Sequence, residues 1–134
     1  MKTARRLGAA LLVTVALSAC SSDSEDANSV PHYWISQQYT SVPLGYVDKK
    51  DGPSEVAEEI DDHTSARDRS AAGDAVFLRY RDDIVSITPR KRRGSQIEVA
   101  DYRTGYHRWN TKLPSSWPHP DSDAFRGGGP GTGK

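Results

Sequence analysis

Four consecutive basic residues, Arg90–Arg93, separate two runs of β-branched and apolar residues and form the longest cationic run in the chain. The surrounding residues 79–108 contain eight basic and four acidic side chains, whereas residues 48–69 contain four basic and eight acidic ones. A concentration of like charge attracts partners of opposite charge. Arg90, Lys91, Arg92 and Arg93 are therefore candidates to bind an anionic lipid, an anionic polymer or another protein. The alternative is a solvated turn that only keeps a hairpin soluble.

Aromatic and cationic side chains alternate shortly after this basic run. Aromatic rings beside cations can stack sugars or bases. The same rings, at spacings of three and four residues, can instead form the buried side of a helical turn. Packing is the favoured interpretation, although Gly105 weakens a helix there. The candidate binding residues of this segment are Tyr102, Arg103, Tyr106, His107, Arg108 and Trp109.

The remaining patterns do not indicate a metal, cofactor or nucleotide site. The four histidines have no metal-ligand spacing. Residues 128–134 match the G-x-x-x-x-G-K pattern of phosphate-binding loops, but no strand precedes them and no helix or hydroxyl residue follows in the sequence. We therefore expect no metal, no cofactor, no nucleotide and no catalytic residue.

Two other functions remain open at this point. A hydrolase or transferase would use His107 or His63 with a nearby acid, but no nucleophile-elbow pattern accompanies either histidine. A passive structural module would need no binding residues and would only extend its glycine-rich tail. The leading expectation is a non-enzymatic binding or accessory protein.

The N-terminus has the pattern of a lipoprotein signal peptide. A basic start is followed by an apolar run at residues 7–17, which is too short to span a bilayer. Leu17–Cys20 then matches a bacterial lipobox, in which the cysteine thiol is acylated and the chain is cut just before it. The alternative is an ordinary secretory signal cut after Ala19. We expect an exported protein anchored by lipid on Cys20 to the outer face of the cell membrane.

The chain that follows this signal is mildly acidic. Removal of residues 1–19 takes away three of the 18 Lys and Arg residues, which leaves 15 against 18 acids, a net charge of −3. An exported domain of this charge is a poor candidate for nucleic acid. Cys20 is the only cysteine, so no intramolecular disulfide is expected. The expected partners are the membrane, through the anchor, and another envelope protein or an anionic envelope polymer.

A short sheet must position the basic run. Residues 75–80, 84–88 and 95–102 alternate between apolar and polar side chains, which predicts a three-stranded antiparallel meander buried on one face. An amphipathic helix at residues 55–62 would cover that face, and residues 30–39 could open a second helix. The predicted fold is α+β, with a small sheet of three or four strands packed by one or two short helices between disordered termini. The predicted segments are 1–19 (signal), 20–29 (acidic tether), 30–113 (domain) and 114–134 (Pro/Gly-rich tail).

Five segments together resemble the actinobacterial lipoproteins classed as domain of unknown function 4247. They are LSAC at 17–20, TSARDR at 64–69, VFLRYRDDIVSITP at 76–89, GSQIEVADYRTGYHRW at 94–109 and FRGGGPGTGK at 125–134. The resemblance implies that the Tyr-Arg-Thr-Gly-Tyr segment and the glycine tail are family features. It implies no activity and assigns no catalytic or binding residues. It suggests only an accessory role beside other envelope proteins.

Overall fold

The computed structural model describes residues 28–125, which form three helices and six strands. Along the chain these are α1 (His32–Gln38), β1 (Thr40–Val42), β2 (Gly45–Asp48), α2 (Pro53–His63), β3 (Asp68–Ala72), β4 (Ala75–Arg79), β5 (Asp83–Pro89), β6 (Ser95–Asp101) and α3 (Tyr102–Trp109). The six strands make one antiparallel sheet in the order β1-β2-β6-β5-β4-β3.

The α+β class is confirmed, but the predicted size of the sheet is wrong. The meander is present as β4, β5 and β6, whose ends lie within two residues of the predicted ones. Three further strands extend it, because β2 pairs with β6, β1 pairs with β2, and β3 pairs with β4. The prediction of one or two helices is likewise too small, since α3 follows β6 directly.

Both faces of the sheet are covered, whereas the sequence predicted burial of one. On the first face, Ile35 of α1 and Val56 and Ile60 of α2 pack on Leu78 and Val85 of the sheet. On the second face, which we call the α3 face, the core includes Phe77, Ile84, Tyr102, Trp109 and Trp117. Strand β4, which lies between β5 and the edge strand β3, is consequently buried at four of its five positions.

The segment after α3 belongs to this second core. Trp117 is only 1% exposed, and its indole Nε1 donates a hydrogen bond of 2.8 Å to Asp68 Oδ2 on β3. The Tyr102 hydroxyl donates to the Pro118 carbonyl oxygen at 2.8 Å. Phe125 stacks on Tyr102 with ring centroids 4.3 Å apart. The packed body therefore extends beyond α3 to Phe125.

The two ends of the described chain lie at one end of the sheet. The Asn28 carbonyl oxygen accepts a hydrogen bond of 2.8 Å from the Arg81 backbone N–H, in the turn between β4 and β5. The Tyr102 backbone N–H donates to the Asp82 carbonyl oxygen at 2.7 Å, and Phe125 lies on the Tyr102 ring. We call this the terminal end. Among residues 28–125, no helix has the length and apolar character needed to cross a membrane.

Candidate functional site

The basic run forms the tip of the β5–β6 hairpin, at the opposite end of the sheet from the terminal end. Arg90, Lys91, Arg92 and Arg93 are all exposed. Strand β5 has seven residues, so it separates the tip from the terminal end by about 20 Å. The chain therefore enters and leaves the body far from its most cationic loop.

Two lysines from another loop lie beside the tip. Lys49 and Lys50 belong to the turn between β2 and α2, and Arg93 Nε donates a hydrogen bond of 3.1 Å to the Lys50 carbonyl oxygen. Sequence reasoning did not connect these segments, because 43 residues separate Lys50 from Arg93. The six cations Lys49, Lys50, Arg90, Lys91, Arg92 and Arg93 define what we call the basic end.

Backbone contacts hold the two loops of the basic end in fixed positions. Asp48 Oδ1 accepts from the backbone N–H groups of Lys50 at 2.6 Å and Asp51 at 2.8 Å, so it shapes the β2–α2 turn. Ser95 Oγ donates to the Asp51 carbonyl oxygen at 2.8 Å. Gly94 has a φ of +91° and lies so close to the turn that a Cβ would be 2.0 Å from the Asp48 carbonyl oxygen. Only glycine allows this approach.

The charge of the basic end is positive after its acids are counted. Asp48 and Asp51 lie in the same turn as the lysines, and Asp74 lies in the β3–β4 turn at the same end of the sheet. Glu59 of α2 lies beside the two lysines as a fourth acid, so six cations against four acids leave a local excess of two positive charges, and the loop of the hairpin tip itself contains no acid. A surface with several neighbouring cations is complementary to a polyanion, because several charges of the polyanion can contact several cations at the same time.

The second candidate segment, Tyr102–Trp109, forms α3, and its aromatic residues pack against the sheet. Asp101 caps α3, since its Oδ1 accepts from the Thr104 backbone N–H at 3.0 Å. Hydrogen bonds from the Thr104 side chain and from this backbone N–H hold the pKa of Asp101 below its usual range. Tyr102 and Trp109 are 1% and 8% exposed and lie in the core of the α3 face. Their rings are therefore not available to stack a ligand.

The exposed and half-buried residues of α3 hold neighbouring segments in place. Arg103 makes an ion pair with Asp121, which lowers the pKa of that carboxyl group. Tyr106 lies edge-on to His119 with centroids 5.3 Å apart. Arg108 Nη1 lies 3.6 Å from Glu98 Oε1 on β6. The second segment thus holds the residues after α3 on the sheet and lies apart from the basic end.

The histidines of the alternative hydrolase are exposed. The His107 and His119 rings lie 5.9 Å apart, and His119 Nδ1 is 3.7 Å from Asp121 Oδ2. The nearby Ser122 Oγ donates to the His119 carbonyl oxygen at 2.6 Å, so its hydroxyl bonds to the backbone and not to an imidazole. His63 stacks on Trp34 at 4.6 Å between ring centroids. A histidine that acts as a general base has to accept a proton from a nucleophile directly or through one water. His63 and His107 lie against other aromatic rings.

A polar cavity adjoins the basic end, and sequence reasoning missed it. Its volume is about 330 Å³, and its walls come from residues 38–40, 47–51 and Glu59. The Tyr39 hydroxyl donates a hydrogen bond of 2.9 Å to Glu59 Oε2. Burial, followed by this bond, raises the pKa of Tyr39 far above its usual range, so the phenol keeps its proton. No local pattern in the sequence links these three segments.

The last two expectations from the sequence concern lipidation and metal binding. Cys20 lies outside the described residues. Between Asn28 and Phe125, no group of three or more His, Cys, Asp or Glu side chains is arranged to hold a metal ion.

Comparison with known proteins finds a family and no characterised relative. A family model described as "Domain of unknown function (DUF4247)" matches residues 13–134. No curated protein and no solved structure matches the chain.

Proposed function

Given that the chain belongs to the DUF4247 family, whose description states no activity, we propose that it is an exported lipoprotein that binds an anionic component of the cell envelope. Binding occurs at the basic end and involves no chemical turnover. Lipid on Cys20 holds the protein at the outer face of the cell membrane.

The observation that carries this proposal is the meeting of two cationic loops. The lysines of the β2–α2 turn and the tip of the β5–β6 hairpin are joined by the bond from Arg93 Nε to the Lys50 carbonyl oxygen. Two loops whose backbones are held together keep the Cα positions of their cations fixed, so less conformational entropy is lost when a ligand binds than with two mobile loops. A turn that served only solubility would not need this arrangement.

The proposed anchor follows from the pattern at residues 7–20. One acyl chain binds a membrane only weakly and reversibly, whereas two chains hold it stably. A diacylated Cys20 would therefore retain the protein without a spanning helix. Eight residues, 20–27, then connect the lipid to Asn28 at the terminal end.

The position of the basic end favours a ligand other than the anchoring membrane. The tether reaches the body at the terminal end, beside Arg81 and Asp82. When the body stands on its tether, the basic end lies about 20 Å farther from the lipid surface. An anionic polymer or another envelope protein is reached more directly than phospholipid.

The test is the double variant Lys91→Gln/Arg92→Gln, measured for binding to inorganic polyphosphate. These two side chains are exposed, whereas Arg90 and Arg93 also bond to backbone carbonyl oxygens of the loops. Each cation near an anionic surface contributes about 1 kcal/mol, so we expect affinity to fall by about thirtyfold at low salt. The difference should shrink in 0.5 M salt, at which the Debye length is only about 4 Å.

The matched control is Arg67→Gln/Lys112→Gln. It removes the same charge from exposed positions outside the two loops, and we expect its affinity to stay within about twofold of the wild type, because these cations lie outside the fixed cluster. Equal losses in both double variants would show that only net charge matters and would contradict the proposal.

A further inference from the structure

The polar cavity beside the basic end is lined by chemical groups that suit hydroxyl ligands. Its volume of about 330 Å³ is at the lower end of the range for small-molecule sites. The cavity lies where the end of α1, strand β2, the β2–α2 turn and α2 meet. One or two sugar-sized units would fill such a space.

The lining mixes hydrogen-bond donors with acceptors. Glu59 accepts one bond from the Tyr39 hydroxyl, and a carboxylate offers about four acceptor positions in total. Asp48 uses Oδ1 for the two backbone N–H groups of its own turn, so Oδ2 remains for a ligand. Lys49, Lys50 and the amide of Gln38 supply donors. Hydroxyl groups donate and accept, so they match both kinds of partner.

Other classes of ligand fit the cavity less well. Val47 is the only aliphatic side chain among the lining residues, so an apolar ligand would leave the polar groups without partners. A phosphate group inside the cavity would face Asp48, Asp51 and Glu59, and like charges at short range repel. An anionic group is better placed on the cations outside.

The cavity and the basic end share one loop. Lys49 and Lys50 line the cavity and also belong to the cationic cluster. Ser95 Oγ ties the Asp51 carbonyl oxygen to the start of β6, which fixes this loop against the sheet. A ligand with hydroxyl groups and an anionic group could therefore contact both surfaces without rearrangement.

We propose that the cavity binds a hydroxyl-rich unit of an anionic polymer, while the adjacent anionic group binds Lys49, Lys50 and the hairpin tip. This inference rests on the proposed function and names the chemistry of its ligand. Two sources supply this chemistry: polymers of polyol phosphate and polymers of sugar acids. In both, the Tyr39 hydroxyl orients the Glu59 carboxylate, and Glu59 accepts a hydrogen bond from a ligand hydroxyl.

The test measures the binding of four probes by the purified full chain in neutral detergent. Poly(glycerol phosphate) and polygalacturonate carry hydroxyl groups and charge, whereas inorganic polyphosphate carries charge alone. Micelles that contain phosphatidylglycerol represent the lipid surface. The cavity variants are Tyr39→Phe, which changes no charge, and Glu59→Gln. The matched control is Glu58→Gln, which makes the same change at an exposed neighbour on α2 that does not line the cavity.

We expect Tyr39→Phe and Glu59→Gln each to lower the affinity for at least one hydroxyl-bearing polymer by about fivefold to tenfold. The reason is that Tyr39→Phe removes the hydrogen bond that orients Glu59, and Glu59→Gln removes a charged acceptor. Binding of polyphosphate should not weaken: Tyr39→Phe should leave it within about twofold of the wild type, and Glu59→Gln, which removes a negative charge, should leave it unchanged or stronger. The control variant should bind all the polymers as the wild type does. The polymer that is affected identifies the source, and in nuclear magnetic resonance spectra the backbone amide signals of Gln38 and Thr40 should shift with that polymer only.

Three results would overturn the inference. The first is unchanged binding of both hydroxyl-bearing polymers by the two cavity variants. The second is an equal loss for polyphosphate, which would indicate a general effect on charge or folding. The third is capture of phosphatidylglycerol micelles with neither hydroxyl-bearing polymer bound. In all three cases the proposed function stands if Lys91→Gln/Arg92→Gln still weakens polyphosphate binding. A wild-type chain that binds no polyanion would overturn both.

Discussion

Two buried serines of the sheet differ in how their hydroxyl groups are satisfied. Ser95 is fully buried, and its Oγ donates to the Asp51 carbonyl oxygen at 2.8 Å. Ser86, on the central strand β5, is 1% exposed, and its Oγ has no hydrogen-bond partner. A buried polar group without a partner costs about 1–3 kcal/mol of stability relative to a satisfied one.

We predict that Ser86→Ala raises the free energy of unfolding by about 1 kcal/mol, because the change removes the unsatisfied hydroxyl and only one heavy atom. The matched change Ser95→Ala should lower it by about 1–2 kcal/mol, since the Asp51 carbonyl oxygen then loses its donor. Urea denaturation followed by circular dichroism measures both values. A loss of stability in Ser86→Ala comparable to that in Ser95→Ala would mean that the Ser86 hydroxyl does have a partner in solution.

At the scale of elements, α3 depends on a close approach to the sheet. Gly105 is buried in the middle of this helix. A Cβ at Gly105 would lie 2.8 Å from Cζ3 of Trp109 and 3.2 Å from Cβ of Ile84 on β5. Glycine therefore lets the helix axis come near the strand, which explains why a residue that weakens helices lies inside one.

We predict that Gly105→Ala lowers the free energy of unfolding by about 1 kcal/mol or more. Overpacking costs about 1–3 kcal/mol, and this outweighs the gain of about 1 kcal/mol in helix propensity. Chemical denaturation measures the change.

A second background identifies the cause of this effect. With Trp109→Leu already present, the cost of Gly105→Ala should fall, because part of the steric conflict is gone. A gain of about 1 kcal/mol from Gly105→Ala in the wild-type background would show that the approach is not tight.

The elements that the sequence predicts well are those with a strong local signal. In β4, Val76 and Leu78 alternate with Ala75 and Phe77, and the two sets point into the two cores as the period of two requires. The helix α2 was recognisable because Val56, Ala57 and Ile60 share one side. In both elements, a few neighbouring residues are enough to show which side chains are buried.

The missed elements depend on distant partners. Strand β3 reads Asp-Arg-Ser-Ala-Ala and has no apolar alternation, since it lies at the edge and is buried little. Strand β3 forms because its backbone can pair with the side of β4 that β5 leaves unpaired. In this antiparallel pairing Ser70 lies opposite Phe77. The cavity was missed for the same reason, because Tyr39 and Glu59 meet only after α1 and α2 pack together.

At the scale of the whole molecule, Asn28, where the described chain begins, and the proposed ligand surface are at opposite ends of the sheet. The charges of the hairpin tip were predictable from the sequence, but their distance from the chain ends was not. That distance follows from the strand order and from the contact of Asn28 with Arg81.

We predict that Cys20→Ser releases the protein from the membrane without changing its fold. The thiol is the only atom of the chain that can be acylated in the proposed way, because no second cysteine exists. Fractionation should find the wild type in the detergent phase and the variant, after removal of the signal, in the aqueous phase. Equal distribution of the two proteins would contradict the lipid anchor.

Asn28 contacts Arg81 in the turn between β4 and β5, and Phe125 stacks on Tyr102, whose backbone N–H bonds to Asp82 of that turn. A covalent linker that passes around the terminal end would join them and close the body into a ring, since chain termini that lie at one end of a domain can be connected in this way. New termini opened at the exposed Gly73–Asp74 turn would leave the hairpin tip and its neighbouring loop unbroken. A circularly permuted chain would therefore have a different order of strands along the sequence and the same basic end.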